Sequence, residues 1–468
     1  MQATEQRLEF SEALLKKYDQ TGPRYTSYPT AVQFTEEFQS RHYRELARST
    51  SEENSSSPLS LYFHIPFCDT ICYYCGCSKI VTRDHGLVSP YLTHLQKEIN
   101  LQAALFNGRP VEQLHWGGGT PTFLSNEEMT QLMSMTADAF NLDKTDDREF
   151  SIEVDPRSVD EEGIEVLASI GFNRLSMGVQ DFDPDVQKSV NRIQSEEGTL
   201  AVLKSARDNG FKSISIDLIY GLPKQNVESF SHTLDKVISA QPDRIAVYNY
   251  AHLPHLFKTQ RGIHEDELPS PDVKLEILAL TISKLTQAGY IYIGMDHFAK
   301  PDDELALAQR NGTLHRNFQG YSTHADCDLI GLGLTSIGKV GNSYSQNYKD
   351  IESYYKTLDD GKLTVFRGLL LDEDDIMRRD IISELMCHST LNYNSIEAQY
   401  NINFGDYFKQ EIADLAPFEA DKLVEVSAKK IQITPAGRML LRNIAMQFDA
   451  YLKPGGKVAK QATYSRLI

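Results

Sequence analysis

The chemistry in this chain starts with its cysteines: four of the six fall within ten residues, in the run Phe67-Cys-Asp-Thr-Ile-Cys-Tyr-Tyr-Cys-Gly-Cys-Ser78. Cys68, Cys72 and Cys75, spaced C-x3-C-x2-C, give one metal centre three thiolates from one short loop and leave a fourth position unassigned. A closed structural zinc site wants four ligands, usually in two separated pairs. The chain has no second Cys/His cluster, which weighs against a zinc knuckle that would include Cys77. An iron–sulfur cluster held by three cysteines has one iron open to another molecule. Cys77 is redundant by count, and its role stays open. Cys327 and Cys387 stand apart and read as ordinary buried residues.

Something must hold that loop. From residue 59 strand-like and helix-like stretches alternate, with strands expected at 59–67, 113–117, 149–156, 174–180, 213–220 and 243–250. A helix is expected over 125–140, opening on Ser125 and Glu128 at capping-box spacing. Alternation at roughly 30-residue spacing means βαβ units and a parallel sheet. Six units predict an α/β fold with a partial (βα)6 barrel, open on one side, in place of a closed eight-fold one. Three of these strands split cleanly by side. Phe150, Ile152 and Val154 oppose Ser151, Glu153 and Asp155; Leu175, Met177 and Val179 oppose Ser176, Gly178 and Gln180; Ile214, Ile216 and Leu218 oppose Ser215, Asp217 and Ile219. A parallel strand covered on both faces should be apolar throughout, so the polar faces predict a ligand-filled or hydrated lumen.

Three regions are expected. Residues 1–50 hold a helix and the stretch Gly22-Pro-Arg-Tyr-Thr-Ser-Tyr-Pro-Thr30, extended and packed over the active site. Residues 51–360 are the catalytic domain, preceded by a Ser/Glu/Asn-rich linker at 50–58. Residues 361–468 read as a mainly helical, winged-helix-like domain with a helix at 373–389, a hairpin at 424–434 and a last helix at 435–448. The net charge of −18 argues against a nucleic-acid partner, which calls for a basic face. It also means that an anionic substrate needs a local cluster of Arg and Lys. Hydrophobic residues make up 41% and charged residues 24%, with no apolar run of the roughly 18 residues that span a bilayer. No signal peptide is recognisable, so a reducing cytoplasm is expected. No self-association helix stands out, which suggests a monomer.

Gly117-Gly-Gly-Thr-Pro-Thr122 follows the second strand. Three glycines at a strand end let a ligand approach the backbone and leave N–H groups for a carboxylate. Glu153, Gln180 and Asp217, on the polar faces of consecutive strands, suit an amine, an adenine or ribose hydroxyls. The cysteine loop after a strand resembles that of the radical S-adenosylmethionine (SAM) enzymes. The resemblance implies a 4Fe–4S cluster on Cys68, Cys72 and Cys75, with SAM on its open iron.

Nearly the whole chain resembles one family more closely, the oxygen-independent coproporphyrinogen III oxidases. The matching segments are Pro23-Arg-Tyr-Thr-Ser-Tyr-Pro-Thr-Ala31, His64-Ile-Pro-Phe-Cys68, the cysteine loop, His115-Trp-Gly-Gly-Gly-Thr-Pro-Thr122 and Ile152-Glu-Val-Asp-Pro-Arg157. Further on come Ser176-Met-Gly-Val-Gln-Asp-Phe182, Asp217-Leu-Ile-Tyr-Gly-Leu-Pro223, Ile293-Gly-Met-Asp-His-Phe-Ala299 and Tyr464-Ser-Arg-Leu-Ile468. The resemblance implies oxidative decarboxylation of two propionates to vinyl groups in heme biosynthesis, a low-potential electron donor and two SAM molecules. By motif, Tyr62, Tyr74, Gly118 and Glu153 would contact the first SAM. Gly119, Thr120, Gln180, Arg192, Asp217, Ala251 and Ile337 would contact the second. Phe is also found at the position of Tyr74, and a ring contact survives that change. A porphyrinogen with four propionates calls for cations, for which Arg24 and Arg316 are candidates. Two rivals share the scaffold. A heme chaperone would lack Cys77 and the Pro-Arg-Tyr-Thr-Ser-Tyr-Pro segment, both present here; a heme-opening radical SAM methyltransferase is excluded less cleanly.

Overall fold

The computed structural model describes residues 8–53, 56–106, 108–324, 327–453, 457 and 464. The resembling segment at the end of the chain, apart from Tyr464, lies outside them. The chain forms two compact units, one of residues 34–281 and 326–370, the other of residues 1–33, 282–325 and 371–468. The units therefore do not follow the consecutive stretches 1–50, 51–360 and 361–468.

In the first unit six strands are each linked to the next through a helix. They are β1 (Leu59–Ile65), β2 (Pro110–Gly118), β3 (Glu149–Val154), β4 (Arg174–Gln180), β5 (Ser213–Tyr220) and β6 (Arg244–Asn249). The helices are α1 (Val88–Ala103), α2 (Asn126–Ala139), α3 (Glu161–Ser169), α4 (Glu196–Asp208) and α5 (Val227–Ala240). Neighbouring strands pair in parallel from β1 through to β6. The helix starts are written in the sequence. Ser125 and Glu128 form the expected capping box on α2, and Asp160, Ser195 and Asn226 cap α3, α4 and α5.

The alternation expected for β3, β4 and β5 is observed. Phe150, Ile152, Val154, Leu175, Met177, Val179, Ile214, Ile216 and Leu218 are all buried. Ser151, Glu153, Ser176, Gly178, Gln180, Ser215 and Asp217 remain half-buried or exposed along the opposite face.

The sheet is larger than six strands. β7 (Asp328–Leu332) lies parallel to β1 on its other side, and β8 (Ile337–Val340), β9 (Ser343–Asn347) and β10 (Val365–Leu370) continue as an antiparallel ribbon. Two buried polar knots fasten this addition. Arg109 Nη1 donates to Asp328 at 2.8 Å, and its Nε donates to the Ser57 carbonyl at 2.8 Å. Glu98 of α1, 0% exposed, accepts from Asn347 Nδ2 (2.7 Å), Tyr354 Oη (2.6 Å), the Gly333 N–H (2.7 Å) and Thr364 Oγ1.

The second unit contains α6 (Glu373–His388), with a capping box of Asp372 and Asp375. It also holds the hairpins Ile291–Gly294/His297–Ala299 and His315–Asn317/Gly320–Ser322. The expected hairpin near 424–434 is present, and Lys430–Ile433 pairs with both Val424–Val426 and Thr390–Asn392. The last helix differs from expectation. Residues 435–448 form a turn, two 3-10 segments (Gly437–Leu440 and Met446–Phe448) and a short helix Leu441–Ala445. A Cβ at Gly437 would stand 2.0 Å from the Leu423 carbonyl oxygen, so the backbone passes too close for a regular helix with side chains. Arg438, Arg442 and Asn443 are buried and donate to the carbonyls of Tyr292, Gly22, Pro23 and Tyr18. The stretch 18–30 is thereby fastened to residues 417–450: Tyr18 stacks on Phe418 at 4.7 Å, and Tyr25 Oη donates to Asp449 at 2.9 Å.

Glu98→Ala would leave three buried donors, the Gly333 N–H and the hydroxyls of Tyr354 and Thr364, without the carboxylate that accepts from them, while Asn347 keeps Gly333 O and Ser336. It is expected to destabilise the protein by about 3–5 kcal/mol, read as a fall in the thermal midpoint, with Glu98→Gln intermediate. An unchanged midpoint would show that the ribbon does not depend on this carboxylate.

Candidate active site

The cysteine loop leaves the C-terminal end of β1 and is tied down by backbone. Gly119 N–H donates to Ile65 O (2.8 Å), Thr120 N–H to Phe67 O (2.8 Å), and Ile80 N–H, past the last cysteine, returns to Pro66 O (2.7 Å). Gly118 has φ +110, and a Cβ there would stand 2.6 Å from the His64 ring. A Cβ on Gly119 would stand 2.7 Å from the Phe67 carbonyl oxygen. Gly118 is required by its positive φ and the His64 ring, and Gly119 by the close approach of the Pro66–Phe67 backbone. The middle of the loop is held from the opposite side. Tyr73 N–H donates to Val190 O (3.0 Å), Asn191 Nδ2 to Ile71 O (2.7 Å), Gln260 Nε2 to Tyr74 O (3.0 Å) and Thr259 Oγ1 to Cys75 O (2.8 Å).

A cavity of about 300 Å³ opens beside the loop. Its wall brings together most of the expected residues: Cys68, Cys72, Tyr74, Cys75, Gly118, Gly119, Thr120, Glu153, Gln180, Arg192 and Asp217. Cys77 lines it too. Three expected residues are not in the wall. Tyr62 stacks on His115 at 5.8 Å, with its hydroxyl 3.2 Å from His64 Nδ1. Ala251 reaches the site through Gln260, whose amide donates to both Ala251 O (3.2 Å) and Tyr74 O. Ile337 begins β8 opposite Gln346.

Sequence reasoning gave no site role to Asp155, Arg157 or Ser176, which also line the cavity. Ser176 and Asp155 were visible as polar-face residues. Arg157 lies past the end of β3, where period-two alternation stops, and only its place in the Ile152–Arg157 segment could have marked it. Arg157 Nη2 and Arg192 Nη1 approach Cys72 Sγ at 3.6 and 3.5 Å, and both bind Asp155 Oδ2, at 2.7 and 2.9 Å.

The environment separates the titrating groups. Burial pushes the Cys68 thiol up to about 11, against the hydroxyl of Thr120 at 3.3 Å. The Cys77 side chain, hydrogen-bonded to Cys75, draws the Cys75 thiol down to about 5 against burial, helped by the charge of Lys79. Burial would raise Glu153, but His115 Nε2 (3.3 Å) and the Gly118 N–H (3.2 Å) donate to it and hold it below its ordinary range. The other ring nitrogen, His115 Nδ1, is hydrogen-bonded to Ser151 Oγ (2.6 Å). The Glu153 side chain is 47% accessible, and the surface it shows is cavity wall. Asp217 is raised to about 7, first by burial and then by the charge of Glu153, with Ser176 Oγ donating at 3.0 Å in opposition.

Gln180 takes φ +69 at a bulge in the β4–β5 pairing, which re-aims its side chain. Gln180 Oε1 and Arg192 Nε are buried without a hydrogen-bond partner among the described residues. The N–H groups of Gly118, Gly119 and Thr120, expected to be left for a carboxylate, are all taken within the protein; three thiols on one loop, an ionised carboxylate, a glycine turn without side chains and an unsatisfied acceptor and donor among the described residues fit a cluster with a zwitterionic, nucleoside-bearing ligand.

Thiolates presented at the C-terminal ends of a parallel, helix-linked sheet define a radical SAM protein, and residues 62–237 match the radical SAM superfamily. Proteins of that class use a 4Fe–4S cluster and SAM. Residues 371–440 match the HemN C-terminal domain. The chain is 50% identical over 465 residues to the oxygen-independent coproporphyrinogen III oxidase of Salmonella typhimurium, covering 99% of this chain and 100% of that one. It is 46% identical to the protein of that name from Synechocystis sp., over all of both chains. The solved structure of coproporphyrinogen III oxidase (HemN) from Escherichia coli, reported as a radical SAM enzyme, superposes with a TM-score of 0.91 at 50% identity, covering 96% of this chain and 100% of that one. This chain belongs to the oxygen-independent coproporphyrinogen III oxidase family.

Gly119→Ala forces the Phe67 backbone, and the cysteine loop with it, to move. The expected result is less iron and sulfide per chain after reconstitution and SAM binding weakened by at least about tenfold in calorimetry. Normal loading and affinity would show that the close approach is dispensable.

Proposed function

We propose that this protein is a SAM-dependent coproporphyrinogen dehydrogenase, converting two propionate side chains of coproporphyrinogen III to vinyl groups and giving protoporphyrinogen IX. The observation that carries this reading, within a chain of this family, is the convergence of the three loop cysteines with Glu153, Gln180 and Asp217 on one cavity. Cys68, Cys72 and Cys75 would hold the cluster. When bound, the cluster and SAM would supply hydrogen-atom abstraction at a propionate β-carbon, and loss of CO2 with one electron passed to an external one-electron acceptor would leave the vinyl group.

The protein's own part is orientation and exclusion of water. Glu153, kept ionised by His115 and Gly118, accepts from an ammonium group, and the Gly118 turn brings that end of the ligand against the backbone. Arg157 and Arg192 aim N–H groups at Cys72 Sγ, and Asp155 holds both guanidiniums in place. Asp217, near 7, can hold or offer a proton to a hydroxyl or an adenine nitrogen. A second SAM would use Gly119, Thr120, Gln180, Arg192 and Asp217, with Ala251 and Ile337 beyond the cavity wall. A low-potential donor delivers the electrons. Among the described residues no helix is long and apolar enough to cross a membrane.

The deciding assay is anaerobic. Reconstituted protein with SAM, a strong reductant and coproporphyrinogen III should release two CO2 per porphyrin, together with 5′-deoxyadenosine and methionine, by mass spectrometry. SAM cleavage without decarboxylation, from protein with a full cluster, would overturn the reading in favour of heme chemistry or delivery. The ligand set is tested separately. Alanine at Cys68, Cys72 or Cys75 should abolish the iron–sulfur absorbance, and Cys77→Ala should retain it.

A further inference from the structure

Within the first unit, the stretch 252–264 holds the cysteine loop without lining the cavity. Thr259 Oγ1 and Gln260 Nε2 donate to the Cys75 and Tyr74 carbonyls at 2.8 and 3.0 Å. A Cβ on Gly76 would stand 3.1 Å from the Phe257 ring, and one on Gly262 would stand 2.9 Å from the Tyr73 ring. Ile263, 6% exposed, packs in one apolar cluster with Tyr73 and Tyr74. Cys68 and Cys72 are buried and Cys75 is half-buried. With ligands in the cavity, the stretch is a protein layer between the thiols and solvent on the side it covers.

The composition of this layer departs from that of the chain. Acids outnumber Lys and Arg by 65 to 47 overall, yet His252-Leu-Pro-His-Leu-Phe-Lys-Thr-Gln-Arg-Gly-Ile-His264 holds three histidines, a lysine, an arginine and no acid. Phe257, Gln260 and Ile263 face the cysteine loop. His255, Leu256, Lys258, Arg261 and His264 are exposed, Leu256 to 52%. Among the described residues neither cation meets an acid: Arg261 donates only to the Pro254 carbonyl, at 3.4 Å, and Lys258 has no partner. The acids that follow are mostly engaged. Glu265 lies 3.3 Å from His252 Nε2 and Glu267 3.6 Å from Lys224, while Asp266 is exposed.

Two unpaired cations about an apolar side chain make a local exception to an acidic field. Such a surface steers and selects a partner of opposite charge. What lies beneath it decides the kind of partner. Thr259 is next in sequence to Lys258, and its hydroxyl binds the Cys75 backbone. A protein seated on this face is therefore separated from that thiol's own residue by a single peptide unit and one hydrogen bond.

We propose that the outer face of residues 252–264, with Lys258 and Arg261 about Leu256, is the docking surface for an acidic protein bearing a low-potential one-electron group, which reduces the cluster. The role rests on the reading of Cys68, Cys72 and Cys75 as cluster ligands. One electron leaves the partner's reduced group, which is oxidised, and enters the cluster, which is reduced; no covalent bond forms or breaks.

The test uses flavodoxin, an acidic flavoprotein, as the probe of anaerobically reconstituted protein. In calorimetry at low salt, oxidised flavodoxin should bind the unaltered protein and bind Lys258→Glu/Arg261→Glu at least about tenfold more weakly. Bleaching of the cluster absorbance by flavodoxin hydroquinone, followed by stopped flow, should slow by a similar factor. Raising salt from about 50 to about 500 mM should slow the unaltered protein steeply and the variant little. Reduction by photoreduced deazaflavin, a small molecule, should be equal in both, as should iron content, SAM affinity and thermal midpoint. Lys258→Gln/Arg261→Gln should fall between them in flavodoxin affinity. Flavodoxin binding and reduction indifferent to the charge reversal, or no reduction by flavodoxin where deazaflavin reduces the cluster, would each overturn the proposal. A lowered midpoint in both variants would assign the cations to structure, and a dimer that the reversal dissociates in sedimentation would assign the face to a second copy; either would overturn it too. Decarboxylation with a chemical reductant alongside any of these results would leave the dehydrogenase reading standing. Charge-dependent reduction by flavodoxin without decarboxylation would do the reverse.

Discussion

The active-site half of the molecule depends on one close approach of backbone to backbone. Where Pro66 and Phe67 leave β1, Gly118 and Gly119 leave β2 beside them, with no room for a Cβ on either glycine. The hydrogen bonds made there, with those from Ile80 to Pro66 and Thr82 to Cys68, close the cysteine loop at both ends. A loop of this length closed only at its ends would sample many shapes. The ties to Val190, Asn191, Thr259 and Gln260 restrict its middle. The polar faces of β3, β4 and β5 acquire a function only because this loop is fixed beside their C-terminal ends.

Electrostatics in this chain works by local exception. A net charge of −18 makes the surroundings unfavourable for anions. The place where the structure gathers sulfur ligands is therefore supplied with its own cations: Lys79 beside Cys75, and Arg157 and Arg192 beside Cys72. Asp155 shows the cost of this device. Its two ion pairs keep the guanidiniums aimed at Cys72.

The parts of this arrangement that were legible in the sequence were the periodic and the local ones. Strand alternation in β3, β4 and β5 placed Glu153, Gln180 and Asp217 on the correct face, because helices covering the other face leave polar residues only one direction to point. Capping residues announced the start of α2. The pairing of β7 with β1 was not legible, since it joins residues almost 270 positions apart (59 with 328) and no local pattern encodes it. Glu98 likewise looks like an ordinary helix-surface residue until Asn347, Tyr354 and Thr364 arrive around it. The stretch 435–448 misled because its composition suits a helix, and tertiary demands overrode that preference: the close approach at Gly437 and three buried polar side chains seeking distant carbonyls.

Those distant carbonyls also constrain how the second unit can assemble. The partners of Tyr18, Gly22, Pro23 and Tyr25 are Asn443, Arg442 and Asp449, more than 400 residues later in the chain. The first unit, by contrast, contains no residue beyond 370. During vectorial synthesis the N-terminal stretch therefore stays without its partners while the cysteine loop and its sheet can already close. Contacts of such separation repay their loop-closure entropy only once most of the remaining structure exists. The buried arginines of residues 438–442 are consequently among the last groups to be enclosed. Arg438 and Arg442 can enter the interior only because the carbonyls that receive them are then in place.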